Sequence, residues 1–332
     1  MLNFLLLGAG RIGKMHANII HDHPKANLKY VYDLNKKSSS IISQKYKCNS
    51  TNNPYEIINS PEIDAVVIAS STPTHIEFIN KSVKAGKAIF CEKPIDLNIR
   101  KVNRCWDKIK NSNVPIQIGF NRRYDPGHNE VQKSLIAGKI GKLEMIVITS
   151  RDPSPPPMSY LKSSGGIFRD CSIHDFDLAR FILKNDPIVE VYANASRNVS
   201  KDFVKVNDYD TTMCILKSKK GVLIHINNSR RAIYGYDQRL EVFGSKGMLI
   251  SNNIPKNNVE SFNEKYSFSK NKIHNFFLER YHDAYRLQFD DFIKSVLNNT
   301  KPKVSFDDGK KALIIADCAT QSVKRNKIIK IK

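Results

Sequence analysis

The sequence predicts two α/β domains in tandem: a doubly wound parallel sheet of Rossmann type over residues 1–122, then an α/β domain with a largely antiparallel, open-faced sheet over 123–332. Three observations carry this. Short, near-continuous apolar runs alternate with helix-like stretches through the first 120 residues, as in strands joined by crossover helices. A glycine-rich turn, GAGRIG, separates the first apolar run from the first helix. Past Arg123 the runs lengthen and alternate apolar with polar residues, as half-exposed antiparallel strands do.

In chain order, NFLLLGAG reads as the first strand and RIGKMHANII as its helix; LKYVYD is a second strand ending on Asp33. AVVIAS, AIFCEK and PIQIGF complete the set, and their unbroken Val, Ile and Ala content suggests strands covered on both faces. GKLEMIVITSRD, PIVEVYANASRN, TTMCILKSK, GVLIHINNSRR and QRLEVFGSKGMLIS form the alternating set. Helical patterns interrupt or follow them at HNEVQKSLIAG, SIHDFDLARFIL, AYRLQFDDFIKSVL and GKKALIIADCATQSVKR. The stretch PSPPPMSYL is too short for a domain linker and reads as a stiff loop lying over something.

Composition narrows the class. A chain of 332 residues with 41% hydrophobic and 26% charged residues supports two ordinary cores. Its one early apolar stretch, Phe4 to Leu7, is too short to span a bilayer and lacks a basic leader, so the expectation is a cytoplasmic protein with no membrane role. The net charge of +21 is spread along the whole chain among Asn, Ile and Ser. With no arginine-rich arm and no zinc-finger spacing, solvated lysine explains it more simply than nucleic-acid binding. Six scattered cysteines, with no CxxC pair and no histidine cluster, fit a reducing compartment and predict no metal site. Cys171 reads as buried filler.

The cofactor end is the more specific signal. GAGRIG follows an apolar strand, opens a helix and precedes Asp33 by twenty residues, which is the dinucleotide-binding context. Gly8 permits the tight turn, Gly10 lets the backbone approach a pyrophosphate, and Gly13 lets helix and strand pack closely. Arg11 and Ile12 open the helix whose N-terminus offers N–H groups and a positive dipole end to phosphates. A carboxylate at Asp33 accepts from ribose hydroxyls and repels a 2′-phosphate, so NAD is expected over NADP; Lys36 and Lys37 soften that preference. Ser71, Thr72, Pro73 and His75 of STPTH occupy another strand end, and Glu92 with Lys93 of CEKPI the next. All are placed to line the nicotinamide half, since ligands of such sheets bind at carboxyl strand ends. A surface lysine is the bland alternative for Lys93.

The second constellation is RDCSIHDFDLARFIL. Asp170 and His174 are four apart and project to one side at a helix start. One reading makes Asp170 an N-cap and His174 a packed first-turn residue. The other makes them an orienter and a base, histidine being the side chain that titrates in the right range to take a hydroxyl proton.

GAGRIG, CEKP, GFNRRYDP and the D-x-x-x-H segment together resemble the glucose–fructose oxidoreductase and inositol dehydrogenase (Gfo/Idh/MocA) family over nearly the whole chain. GFNRRYDPGH, SRDPSPPP, IHDFDLARF and YGYDQRLEVFGSKG are most similar to its inositol-oxidising members. The resemblance implies a catalytic triad of Lys93, Asp170 and His174, with Arg122, Asp152 and Tyr236 on the substrate wall. Structural alternatives stand beside these: an Arg122–Asp152 ion pair and a core tyrosine. It also implies NAD-dependent oxidation of a ring hydroxyl of myo-inositol to the ketone, scyllo-inosose, in inositol catabolism. The same chemistry on scyllo-inositol or an aldose is the nearest alternative, and a non-catalytic dinucleotide sensor or scaffold the one from another class. A homo-oligomer, tetramer by default, is implied too, with 308–325 packing back on the first domain.

Overall fold

A computed structural model describes residues 1–331. The chain divides into two compact units, Met1–Phe120 with Tyr285–Lys311, and Asn121–Ala284 with the chain from Ala312 onward.

In the first unit, β1 (Leu2–Leu7), β2 (Ala26–Tyr32), β3 (Asn49–Ser50), β4 (Ala65–Ile68), β5 (Ala88–Cys91) and β6 (Ile116–Ile118) form one sheet in the order β3-β2-β1-β4-β5-β6. Every pairing in it is parallel. β4 and β5 are buried at every residue, which is why they read as unbroken apolar runs. The chain leaves β1 toward β2 and β3, then returns past β1 to β4 and beyond. Strand order therefore reverses between β1 and β4, the switch point at whose carboxyl ends sheets of this kind bind ligands.

Asn side chains cap three helices of this unit: Asn35 before Lys36–Tyr46, Asn53 before Pro54–Asn59 and Asn98 before Ile99–Ile109. The helix Arg11–Asp22 starts instead on Gly10, with no side-chain cap. Phe4, Leu6, Val67 and Phe90 build the core with Phe289, Phe292 and Ile293 of the helix His282–Leu297. Ring centroids lie 5.3 Å apart for Phe4–Phe289 and 5.7 Å for Phe90–Phe292. Gln117 and Gln288, both buried, donate side-chain N–H groups to the carbonyls of Gln288 and Ile118 at 2.8 and 3.0 Å, which ties that helix to β6. The sequence reading grouped this segment with the second domain; residues 285–311 belong with the first unit. An apolar helix face alone does not say which sheet it covers.

In the second unit, β7 (Leu143–Arg151), β8 (Ile188–Ser196), β9 (Thr211–Ser218), β10 (Leu223–Ser229), β11 (Asp237–Gly244), β12 (Gly247–Ser251) and β15 (Ile329–Lys330) form a sheet in the order β12-β11-β7-β10-β9-β8-β15. β7 and β10 run parallel; the other neighbours are antiparallel. A separate hairpin joins β13 (Glu260–Asn263) and β14 (Tyr266–Lys270). One sheet face packs on Phe176, Leu178, Ala179 and Ile182 of the helix Ile173–Leu183 and on Ile315, Ala316 and Ala319 of the helix Phe306–Arg325. The opposite face carries Met145, Met213, Ile215, Leu223, Phe243, Met248 and Ile250, all exposed. Alternation along β9 divides the two faces residue by residue, as the sequence predicts.

Among the described residues no helix is long and apolar enough to cross a membrane. All six cysteines are free thiols.

Candidate active site

The cofactor half is built at the carboxyl edge of the parallel sheet. Gly8 has φ +103°, and a Cβ there would stand 2.4 Å from the Ala69 carbonyl oxygen, so the turn leaving β1 requires glycine. A Cβ on Gly13 would stand 2.0 Å from the Gly8 carbonyl oxygen, so the helix sits too close to the turn for any side chain. Gly10 differs. It is exposed, its φ is −71°, and a Cβ would meet nothing within 4 Å. The protein itself has no use for the missing side chain there; a ligand lying against the backbone does. Together with the uncapped helix N-terminus, this fits a dinucleotide pyrophosphate.

Asp33 follows β2 directly. Its carboxylate accepts from the Ala9 N–H at 2.6 Å and the Asn35 N–H at 2.7 Å, which fixes it beside the glycine turn while leaving lone pairs for ribose hydroxyls. Ser71, Thr72 and Pro73 are exposed or half-buried at the end of β4. His75 is instead buried, with Nδ1 2.9 Å from the Pro94 carbonyl and Nε2 3.0 Å from that of Ser70. Burial lowers its pKa, and a neutral ring has one N–H to give, so it donates to one of these two carbonyls while packed between the loops after β4 and β5.

Lys93 lies half-buried just past β5. Glu92 before it is buried, and its Oε1 lies 2.7 Å from Nε2 of His16, one turn into the glycine-loop helix. The Gly119 site is closed by the same carboxylate, 2.7 Å from where a Cβ would be. His16 also meets Phe90 edge-on at 4.9 Å. Sequence reasoning missed His16, because a lone histidine on an apolar helix face carries no signal of its partner.

The second half gathers at one end of the seven-stranded sheet. Strand register pairs Ser229 with both Arg151 and Thr211, and Asp237 with Arg151, so the residues just beyond these positions share an edge. Phe168–Ser172 is a π-helical turn that leads into the helix Ile173–Leu183, with His174 in its first turn. Asp170 is part of that turn and is not an N-cap; Ser172 holds the cap position but gives its hydroxyl to Asn228 Oδ1 at 2.6 Å instead of capping the helix. Tyr160 of PSPPPMSYL donates its hydroxyl to Asp170 Oδ1 at 2.6 Å, so the proline-rich loop lies over the Asp170 turn. Arg230, just after β10, donates to Asp170 Oδ2 at 2.7 Å and to Asp152 Oδ2 at 2.9 Å. The Cys171 thiol donates to Asp152 at 3.3 Å, and burial pushes its pKa up, so it stays a thiol.

Arg122 pairs with Asp175 rather than with Asp152. Asp175 is fully buried, and Arg122 also donates to Ser150 Oγ at 3.1 Å. Burial raises the Asp175 pKa, opposed by Arg122 and by the Asn228 amide at 2.7 Å. Tyr236 is buried, its ring 6.1 Å from that of Tyr281. Tyr160, Asp175 and Arg230 were not singled out by sequence. Arg230 had the one legible hint, an arginine ending an apolar strand. Among the described residues, no three His, Cys, Asp or Glu side chains are grouped to hold a metal ion.

Comparison with known proteins bears on both halves. Residues 2–120 match the model of an oxidoreductase family with an NAD-binding Rossmann fold, and residues 128–250 match the GFO/IDH/MocA C-terminal domain. The chain is 42% identical to an inositol 2-dehydrogenase of Rhizobium meliloti over 99% of both proteins. It is 40% identical to a myo-inositol 2-dehydrogenase of Thermotoga maritima over 98% of both. The crystal structure of a myo-inositol dehydrogenase from Corynebacterium glutamicum superposes with a TM-score of 0.96 at 39% identity, covering 100% of this chain and 99% of that one.

Proposed function

The chain belongs to the Gfo/Idh/MocA oxidoreductase family, and from that premise we propose that it oxidises a ring hydroxyl of myo-inositol to the ketone scyllo-inosose, with NAD, in inositol catabolism. The observation that carries the reading is full-length likeness to inositol 2-dehydrogenases. The cofactor half has separate support in the open space at Gly10 and in Asp33 beside the turn.

When bound, NAD supplies the hydride acceptor. The chain supplies the proton chemistry. His174 takes the proton of the reacting hydroxyl, and Asp170 stabilises the charged ring that results. Lys93 donates to the same oxygen and favours alkoxide character. Asp152 and Tyr236 belong to the substrate wall, and Arg122 supports that wall through its ion pair with Asp175. Ser71, Thr72 and Pro73 flank the nicotinamide, whereas His75 and Glu92 act one step back by holding the loops on which they sit.

The working form is a homo-oligomer, tetramer by default, joined through the open face of the seven-stranded sheet. The run of exposed methionine, isoleucine and phenylalanine on that face supports this. Six free cysteines support a reducing, cytoplasmic setting.

The test mixes the protein with NAD and myo-inositol at mildly alkaline pH and follows NADH absorbance, with scyllo-inositol and glucose as rival substrates. Turnover needing myo-inositol, lowered about 10²–10⁴-fold in Lys93→Ala and His174→Ala, is expected. NAD binding with no turnover of any polyol would overturn the dehydrogenase reading and favour a sensor.

A further inference from the structure

The site that the proposed reaction uses contains an arginine with two carboxylates and a tyrosine reaching across from another element. Arg230 is 3% exposed and Asp170 7%. One guanidinium arm meets Asp170 Oδ2 at 2.7 Å and another meets Asp152 Oδ2 at 2.9 Å. The second oxygen of Asp170 is taken by the Tyr160 hydroxyl at 2.6 Å. Both oxygens of Asp170 therefore accept, which fixes its rotation and requires no proton on either.

We propose that Arg230 and Tyr160 are positioning residues for Asp170, together holding it in one orientation and as a carboxylate beside the first turn that carries His174. The proposal rests on the dehydrogenase reading for its catalytic meaning, but not for its geometry. Charges around Asp170 come from several elements. Asp152 follows β7, and Asp208, whose carboxylate accepts from the Ile167 N–H at 3.0 Å, comes from the loop before β9. Cys171 is its chain neighbour and stays protonated, and His174 lies on the next turn. Two carboxylates thus pair with one buried cation, and Asp208 feels both Arg230 and Asp170 electrostatically. Without Arg230 the carboxylates repel one another, and the cheapest relief is a proton on one of them. A protonated Asp170 would no longer stabilise a charged His174.

The proline-rich loop gains a role in this account. The prolines lead into the short helix Met158–Leu161, which delivers the Tyr160 hydroxyl to a fixed point, as a flexible loop would do only at greater entropic cost.

The experiment follows Asp170 directly. Aspartate carboxyl carbons are labelled with ¹³C in the full chain, the Asp170 resonance is assigned by its loss in Asp170→Asn, and its titration is compared in Arg230→Met, Arg230→Lys and Tyr160→Phe. In Arg230→Met its midpoint should rise by roughly 1–3 pH units, the range an adjacent opposite charge commonly contributes. Arg230→Lys, which keeps the charge, should restore most of that shift. Tyr160→Phe loses one donor and no charge, so a smaller rise in the same direction is expected. The acid limb of kcat/KM for myo-inositol oxidation should move to higher pH in the same order. A midpoint unchanged in both Arg230→Met and Tyr160→Phe overturns the proposal, and where Arg230→Met does not fold, Tyr160→Phe decides. Since the titration needs no turnover, a protein that never oxidises inositol refutes the function while leaving this result intact.

Discussion

At Gly10 the absence of a side chain answers to a ligand; at Gly13 it answers to the protein. A Cβ on Gly10 meets nothing within 4 Å, whereas one on Gly13 would stand 2.0 Å from the Gly8 carbonyl oxygen. The two alanine variants should therefore separate binding from folding. Gly10→Ala should keep its melting temperature while its Kd for NAD rises at least tenfold, about 1.4 kcal/mol of lost affinity. Gly13→Ala should instead melt several degrees lower, because the helix must shift off the turn at a cost of about 1–3 kcal/mol. Calorimetric melting beside NAD titration reads both, and equal NAD affinity in Gly10→Ala and the parent would remove the pyrophosphate from this turn. These glycines were legible in the sequence because each is demanded by local geometry at a fixed spacing from a strand and a helix. Arg230 and His16 were not, since each acts through a partner 60 or 76 residues away, a distance that no local pattern encodes.

Two polar joints hold elements together, and each makes a different prediction. His16 joins the glycine-loop helix to the end of β5 through Glu92, with the pair closed in by Phe90 and Gly119. Replacing His16 by Leu leaves the Glu92 carboxylate buried without that partner, which costs about 1–3 kcal/mol. Replacing Glu92 as well, as in His16→Leu with Glu92→Gln, should recover part of it, and chemical denaturation of the four proteins checks this; strict additivity would mean the joint is idle. The second joint is His128, in the helix Pro126–Ile136, whose Nδ1 lies 2.9 Å from Ser251 Oγ on β12. Burial holds its pKa down at about 4, against the pull of Asp125. An unfolded chain protonates this ring near pH 6.5 and the folded chain only near pH 4. Stability is therefore intact above pH 6.5 and falls as pH drops toward 4, by at most about 1.4 kcal/mol per unit from this group. In His128→Asn that share of the slope should vanish, which melting temperatures measured from pH 7 to pH 4.5 will show. Most elements were legible from apolar period alone. The parallel pairing of β7 with β10, and the first-unit placement of the helix carrying Phe289 and Phe292, were not, because period reports which face is buried and not what covers it.

Over the whole molecule two surface features point in opposite directions. A net charge of +21 keeps copies of the chain apart, while the open sheet face invites them together. On β9, Met213 and Ile215 are 60% and 55% exposed, and they face the polar Asn227 and His225 across the ladder on β10. Met248, Phe243, Met145 and Leu223 form one exposed apolar row across β12, β11, β7 and β10. Exposed apolar positions that repeat in register over four strands are more than scattered surface hydrophobes, and they fit a partner sheet of the same kind. The interface we propose would lie on this face, where those four positions carry no charged side chain. Ile215→Lys combined with Met213→Lys places two cations at the centre of that face. Buried between two copies, they would lie opposite their own equivalents without counter-charges, a penalty of several kcal/mol per interface. Light scattering on the eluting peak should show the assembly fall to smaller species, with a melting temperature that no longer rises with protein concentration. The same variant should keep NAD affinity, because the glycine turn lies in the other unit. A doubly substituted protein that elutes at the parent mass would mean the subunits meet elsewhere, and the exposed rows would then need another occupant.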